Sequence, residues 1–220
     1  MAHGALVRGD LAAVGGLADV DLYRIRQQPF ASYEILVDEA AGDVGAGAGP
    51  ALERVGPDGS TVLQVSAAAG SGPARSLRFV NATSSAIDDE RIRVRSASCG
   101  SGCGADDTYR LRAWETTASV PRFNNSGTQV TVLFVQNASG TTVAGTVYFW
   151  SATGAPAGEA PFSLSPRALL VHNTGTVVPG GGGSITVVHD GPYGALAGKT
   201  VALEPATGYS FDSPLTFRAR

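Results

Sequence analysis

Short segments in which arginine alternates with apolar residues are the feature of this sequence that most constrains its fold. Residues 91–95 read Arg-Ile-Arg-Val-Arg, and similar alternation occurs at residues 23–26, 77–79 and 109–112. Successive side chains of a β-strand point to opposite faces, so each segment predicts a strand with one apolar and one charged face. Many short strands of this kind favour antiparallel sheets packed as a sandwich over a parallel sheet. Further strands are predicted at residues 32–38, 51–55 and 61–66.

The composition agrees with an all-β chain. Glycine accounts for 29 of the 220 residues, which is about twice the typical fraction. The net charge of −3 argues against a dedicated nucleic-acid binder, because such proteins are usually strongly basic. Apolar runs such as residues 132–135 are far too short to insert into a membrane.

The distribution of charge divides the chain into two parts. Residues 1–117 carry 11 arginines and 15 acidic residues, whereas residues 118–220 carry 5 basic and 4 acidic residues. The small polar run that ends at Pro121 is typical of a linker. We therefore predict two antiparallel β-sandwiches in tandem, at residues 4–116 and 122–220, joined by a linker at 117–121.

The second part resembles an immunoglobulin-like sandwich in its number of strands. About seven short strands in about 100 residues is the count of that fold, although the Cys–Trp–Cys signature is absent. Trp150 is a candidate for its core. The strands are predicted at residues 128–137, 142–151, 158–164, 167–173, 184–190, 199–204 and 209–218.

The first part carries a family resemblance. Gly9-Asp10, followed by Gly-Leu-Ala-Asp-Val-Asp-Leu-Tyr-Arg-Ile at residues 16–25, resembles the opening of the bacterial pre-peptidase C-terminal (PPC) domain family. Residues 33–37, 51–59 and 109–111 are similar to its later strands. The resemblance implies a jelly-roll-like sandwich attached to exported proteins, usually without catalysis of its own. The second part is similar only in general terms to immunoglobulin-like modules of bacterial surface proteins.

Candidates for catalysis are few. The three histidines, His3, His172 and His189, are not accompanied by a Gly-x-Ser-x-Gly elbow that would place a nucleophilic serine. Neighbouring side chains at His189 and Asp190 point to opposite faces of a strand and do not form a dyad there. These patterns favour structural histidines and a chain that is not an enzyme.

Two glycine-rich segments do not have nucleotide-binding spacing. Residues 45–50 lack the Gly-x-Gly-x-x-Gly pattern, and residues 180–183 are not followed by Gly-Lys-Ser/Thr. We predict that both are loops. Asn81, Asn124 and Asn137 each begin an Asn-x-Ser/Thr sequence, which matters for glycosylation only in a host that glycosylates secreted proteins.

Cys99 and Cys103, separated by Gly-Ser-Gly, are either a disulfide or two ligands of a metal site. The metal interpretation lacks a third and a fourth ligand, while the small residues permit the close approach that a disulfide needs. The sequence therefore favours a disulfide, and with it an oxidising compartment outside the cytoplasm.

Calcium is the one cofactor that the acidic residues suggest. It takes six to eight oxygen ligands from loops, and the candidate ligands are Asp19, Asp21, Asp88 and Asp89. No Asp-x-Asp-x-Asp-Gly loop is present. The alternative is that these carboxylates are solvated turn residues and no cofactor binds.

The arginines of the first part are predicted to point away from the core. If several of their strands are neighbours in one sheet, they form a continuous basic face that binds carboxylates or sulfates. The alternative is a solvated face neutralised by the acidic residues of the same part. The candidate binding residues are Arg24, Arg26, Arg78, Arg91, Arg93, Arg95, Arg110 and Arg112.

Together these patterns predict a non-catalytic accessory or surface module of a secreted bacterial protein, extracellular or at the cell surface. It would bind or position a polysaccharide, another polymer or a protein partner, without binding nucleic acid or inserting into a membrane. The first alternative is a structural subunit that self-assembles into an extracellular assembly or filament through exposed strand edges. A secreted hydrolase is the weaker alternative.

Overall fold

The structure, a computed structural model, describes residues 1–46 and 49–219. The described residues form four sheets of antiparallel strands, one five-residue helix and two three-residue 3-10 turns. The prediction of an all-β chain built from antiparallel sandwiches is confirmed.

Contacts divide the described residues into two compact units. The first unit contains residues 1–29 and 33–115, and the second contains residues 30–32 and 116–219. The short segment 30–32 therefore belongs with a part of the chain that is distant in sequence.

Nine strands lie among the described residues of the first half of the chain. In the first unit one sheet has the order β1-β9-β3-β7-β6 and the other has the order β2-β8-β4-β5. The bounds are β1 (Ala5–Asp10), β2 (Val20–Arg24), β3 (Ala31–Asp38), helix α1 (Gly42–Ala46), β4 (Pro50–Val55), β5 (Val62–Val65), β6 (Ala67–Ala68), β7 (Arg75–Asn81), β8 (Arg91–Ser96) and β9 (Thr108–Glu115).

The alternation that predicted these strands also builds the core of the first unit. Ile92 and Val94 of β8 are fully buried, while Arg91, Arg93 and Arg95, which alternate with them, face outward. β9 repeats this arrangement, with Leu111 buried between Arg110 and Arg112. Strand β1 was not predicted; it pairs with β9 along its whole length.

The second half also forms two sheets, with the orders β13-β12-β15-β10-β18 and β14-β11-β16-β17. The bounds are β10 (Ala118–Asn124), β11 (Val130–Asn137), β12 (Val143–Ser151), β13 (Pro156–Leu164), β14 (Leu169–Asn173), β15 (Gly182–His189), β16 (Leu196–Glu204), β17 (Tyr209–Pro214) and β18 (Thr216–Phe217).

An aromatic pair lies at the centre of the second unit. Phe123 of β10 and Phe149 of β12 are buried, with ring centroids 5.4 Å apart in an edge-to-face arrangement. The expectation that Trp150 fills the core is wrong, because Phe149 occupies the inward position of β12 and Trp150 lies on the other face. The Trp150 indole instead donates to the Thr186 hydroxyl at 3.0 Å and packs against Phe30, with ring centroids 4.9 Å apart.

Two of the segments predicted to be irregular are strands. Residues 118–121, expected within a linker, form the beginning of β10, and Ala118 and Val120 are fully buried in the core of the second unit. Gly182 and Gly183, expected in a loop, begin β15. A Cβ atom on Gly183 would lie 1.7 Å from the Trp150 carbonyl oxygen, so only glycine fits where these backbones meet.

The predicted loop at residues 45–50 lies partly outside the described residues, since residues 47 and 48 are among those not described. Its first two residues belong to helix α1 and Pro50 begins β4.

In both units, a central strand ends in a turn that is held by the side chain of a buried asparagine. The Asn81 side-chain amide donates to the carbonyl oxygens of Gln28 and Ser85, and its oxygen accepts from the Thr83 amide and hydroxyl. This asparagine is almost fully buried. The side chains of this Asn-x-Thr sequence therefore form hydrogen bonds within the unit, and these bonds hold the following loop against the end of β7.

Asn137 makes the corresponding turn at the end of β11. Its amide donates to the carbonyl oxygens of Thr141 and Leu164 at 2.7 and 2.9 Å, and its oxygen accepts from the Ser139 amide and hydroxyl. The residue is fully buried. Several backbone carbonyls would lose their donor if this side chain were removed.

We expect Asn137→Ala to lower the free energy of unfolding by about 3 kcal/mol, because buried carbonyl groups left without a donor are costly. Urea denaturation of the full chain measures the effect. Asn173→Ala is the matched control: that exposed side chain accepts one bond, from the Gly175 amide, and its loss should cost about 1 kcal/mol. Equal effects of the two substitutions would contradict the proposed role of the buried turn.

Candidate functional site

The eight candidate arginines do not form one continuous face. Strands β2 and β8 carry Arg24, Arg91, Arg93 and Arg95, whereas Arg78, Arg110 and Arg112 lie on the other sheet of the first unit. Arg26 is exposed and follows β2. The hypothesis of a single basic face is therefore wrong, because the alternating strands belong to two different sheets.

Most of these arginines are paired with carboxylates on neighbouring strands. Glu53 of β4 accepts from Arg93 at 2.7 Å and from Arg95 at 3.0 Å. Arg93 and Glu53 are direct cross-strand partners in the register. The Glu53 side chain is 6% exposed, so the two guanidinium groups cover a buried carboxylate.

The other sheet contains a similar cluster around Asp38, the last residue of β3. Asp38 accepts from Arg110 at 2.8 Å and also from Arg112. Arg78 donates to Glu34 at 3.1 Å. The remaining pair is more exposed, with Arg24 3.5 Å from Asp88.

These contacts change the pKa values of the acidic partners. The hydrogen bond from Arg95, followed by the bond from Arg93, holds the pKa of Glu53 below its ordinary value, although burial acts in the opposite direction. For Asp38, burial raises the pKa, but the hydrogen bonds from Arg110 and Arg112 outweigh it and leave the pKa lowered. Both groups thus favour the charged form in the folded state.

A lowered pKa in the folded state makes this stability depend on pH. The contribution of Glu53 is complete above its ordinary pKa of about 4.3 and is lost as the pH falls through the lower folded value. Glu53→Gln should be less stable by about 2 kcal/mol at pH 7, because two arginines lose a buried partner. It should also show a smaller loss of stability between pH 5 and about pH 2 than the unsubstituted chain.

Thermal melts followed by circular dichroism at several pH values measure both effects. Asp89→Asn, at an exposed position of the same unit, is the control for the removal of one carboxylate. The interpretation is refuted if Glu53→Gln retains the full acid-induced loss.

The four candidate calcium ligands are not brought together. Asp19 accepts from the neighbouring Val20 amide, and Asp88 is paired with Arg24. Asp21 accepts from the Tyr109 hydroxyl, and burial raises its pKa. The Asp89 carbonyl oxygen accepts from Arg91 at 3.4 Å.

Across residues 1–46 and 49–219, one group of three potential metal ligands lies close enough to share an ion: Cys99, Cys103 and Asp107. The two cysteines form a disulfide with Cα atoms 5.0 Å apart, which confirms the predicted pairing and removes both thiolates as ligands. Asp107 accepts from the Val44 and Gly104 amides at 2.9 and 2.7 Å, and these bonds lower its pKa. This cluster fastens loops together.

The histidines occupy three different environments. His189 is fully buried; its Nε2 lies 3.1 Å from the Thr116 carbonyl oxygen and its Nδ1 accepts from the Gly191 amide. The Nδ1 of His3 accepts from the Glu115 amide at 3.0 Å. His172 packs against Phe149, with ring centroids 6.1 Å apart, and burial lowers its pKa.

A trough in the second unit was not identified from the sequence. Strand β18 pairs with β10 at Ala118 and Ser119, and within the described residues no strand covers that side of β10 beyond Ser119. A cavity of about 340 Å³ opens there, between β10 and β17. Its lining residues are Arg122, Phe123, Asn124, Gln129, Thr200, Ala202, Phe211 and Ser213.

A second, more open cavity of about 620 Å³ adjoins the first and shares Arg122, Phe123 and Asn124 with it. Small residues dominate the rest of its lining, including Ser126, Ser151, Ala152, Gly182, Gly183 and Ser184. We call the two cavities together the β10 trough. Their volumes fall in the range of about 300–1,000 Å³ that is usual for ligand sites.

A bulge in β10 presents Arg122 to the trough. Val120 pairs with Ile185 and Phe123 with Gly183, so residues 121 and 122 together oppose Ser184. The Arg122 side chain is exposed, and no hydrogen-bond, ion-pair or ring partner is found for it among the described residues. β-Bulges commonly aim a side chain in this way.

Two aromatic side chains of β17 are also exposed. Phe211 and Tyr209 are 64% and 68% exposed, and they lie two residues apart, hence on the same face of the strand. Phe211 pairs with Ala202, on the inward side of its sheet. It remains uncovered because the opposite sheet ends in the two-residue strand β18.

Comparisons with known proteins give no family. No protein-family profile matches the chain, and no curated protein matches it.

Helix α1 has five residues, and no helix in the described residues has the length and hydropathy needed to cross a membrane.

Weak similarities to solved structures were found. A β-glucuronidase from glycoside hydrolase family 2 aligns at 10% identity over 96% of this chain and 26% of its own, with a TM-score of 0.20. A Bacteroides uniformis β-glucuronidase aligns at 12% identity over 91% and 26%, with a TM-score of 0.21. The chain thus spans about a quarter of the length of these enzymes, and similarity at this level carries no argument about function.

Proposed function

We propose that the chain is a non-catalytic accessory module of an exported bacterial protein, and that it binds an extended polysaccharide in the β10 trough. The observation that carries the proposal is the trough itself, in which the exposed ring of Phe211 lies beside hydroxyl, amide and guanidinium groups. The resemblance of residues 4–115 to PPC domains and the Cys99–Cys103 disulfide support an exported protein.

The lining suits a sugar chain. Thr200 and Ser213 offer hydroxyl groups, and the side chains of Asn124 and Gln129 offer amides. The flat ring of Phe211 presents a negative π face to the weakly positive C–H groups of a sugar ring. The trough is open, so a polymer can pass through it without an end having to enter.

We expect Phe211→Ala to weaken polysaccharide binding at least tenfold, since it removes an exposed ring from the trough wall. Affinity electrophoresis of the full chain in gels containing neutral or acidic polysaccharides measures binding. Val171→Ala, at an apolar position of the same unit that is 58% exposed and not in the trough lining, should leave binding unchanged. The proposal fails if no polysaccharide retards the chain, or if both variants bind as the unsubstituted chain does.

A second candidate function is self-association. Part of the outward face of the sheet β14-β11-β16-β17 is apolar: Phe134 opposes Val171, and Val132 opposes Val201 in the register, while the exposed Lys199–Asp212 ion pair lies on the same face. Leu169 and Leu203 extend this face and are 54% and 41% exposed. Exposed apolar side chains grouped on one sheet face are common at protein interfaces, and they favour a structural subunit that pairs with a second copy.

Self-association predicts that the sedimentation coefficient of the full chain rises with concentration. Val171→Glu should then shift the chain to monomer, because the charge would be buried without a partner. Val14→Glu, at an exposed site of the first unit, is the control. A chain that remains monomeric at high micromolar concentration would refute this candidate.

A further inference from the structure

We infer that the β10 trough selects polysaccharides that carry carboxylates over neutral ones, and that Arg122 is the residue responsible. This inference rests on the proposed function and specifies its ligand class. It follows from three observations on the second unit: the charge of the lining, the position of Arg122 and the surroundings of that residue.

The first observation is the imbalance of charge. Arg122 is the charged residue among the described lining of both cavities, and no carboxylate lines either of them. In the first unit, by contrast, arginines such as Arg93 and Arg110 are covered by carboxylates on adjacent strands. The trough therefore presents a cation that the protein leaves available to a ligand.

The second observation is the central position of Arg122. It lines both cavities, so a chain lying along the trough passes it whichever cavity holds most of the ligand. The planar guanidinium binds a carboxylate through two parallel hydrogen bonds. An ammonium group acts more as a point charge and lacks this geometry.

The third observation concerns Glu204, an acidic residue that interacts with the side chain of Gln129 in the trough lining. Its carboxylate accepts from the Thr128 hydroxyl and from the Ala206 amide, and the bond from Thr128, with smaller help from Ala206 and Gln129, lowers its pKa. These local donors hold Glu204 and leave the guanidinium of Arg122 for an external anion.

The geometry also assigns different roles in binding to the Phe211 ring and to the Arg122 guanidinium. The Phe211 ring contacts the faces of sugar rings and does not distinguish a carboxylate from its ester. Arg122 makes that distinction, because esterification removes the negative charge and one of the two acceptor oxygens. Substitution of Phe211 should thus reduce binding of both polymers, whereas substitution of Arg122 should reduce binding of the acidic one.

Isothermal titration of the full chain with polygalacturonate and with its fully methyl-esterified form tests the inference. We expect polygalacturonate to bind about tenfold more tightly, as one charge-assisted pair provides. Arg122→Gln should abolish this difference by weakening polygalacturonate binding about tenfold, and Arg122→Lys should retain part of the difference. Arg167→Gln, at another exposed arginine of the second unit, should change neither affinity.

Each alternative outcome is informative. Equal binding of the two polymers, or a preference that survives Arg122→Gln, overturns the inference while leaving the proposed function intact. An equal loss of polygalacturonate binding in Arg122→Gln and Arg167→Gln also overturns it, since the preference would then reflect overall charge. Binding of neither polymer, with no effect of Phe211→Ala on any polysaccharide, overturns the inference together with the proposed function.

Discussion

Each unit depends on burying a single layer of side chains between two sheets. A sandwich of this kind has about 10 Å between its sheets, so every strand contributes to the core through alternate residues only. Ile92, Val94 and Leu111 do this in the first unit, and Phe123 and Phe149 do it in the second. The other half of each strand is left on the outside, where its residues are free to carry charge, to pair across strands or to line a ligand site.

This constraint explains what was predictable from the sequence. Alternation with a period of two locates strands such as β8 and β9 and assigns their faces, because each strand carries that information within itself. The assignment of strands to sheets depends on contacts between distant residues, and no local pattern contains it. Arg93 and Arg110 therefore looked like members of one face although they lie on different sheets. Glu53 and Asp38 each follow an apolar residue in their own strands. In the sequence, this position was the available indication that the arginines have acidic partners.

The β10 trough shows why a site is harder to predict than a fold. Arg122 reaches it through a bulge, and a bulge is a mismatch between two strands rather than a property of one. Phe211 is exposed because β18 is short, so its accessibility depends on a strand of the opposite sheet. The run from Glu115 to Pro121 looked like a linker since its residues are small and polar, yet Ala118 and Val120 are buried. Small residues fit both a flexible segment and a closely packed strand.

The membership of residues 30–32 in the second unit affects the order in which the chain can fold. Phe30, which has a positive φ of 50°, lies 4.8 and 4.9 Å from the ring centroids of Tyr148 and Trp150. The Ser32 carbonyl oxygen accepts from the Thr116 amide at 2.7 Å. During synthesis this segment leaves the ribosome long before β12 does, so its contacts are among those of greatest sequence separation, which form late. A nascent chain that stops before Tyr148 leaves Phe30 without its aromatic partners, and the second unit is completed only when residues 30–32 are joined to strand β12, which is synthesised much later.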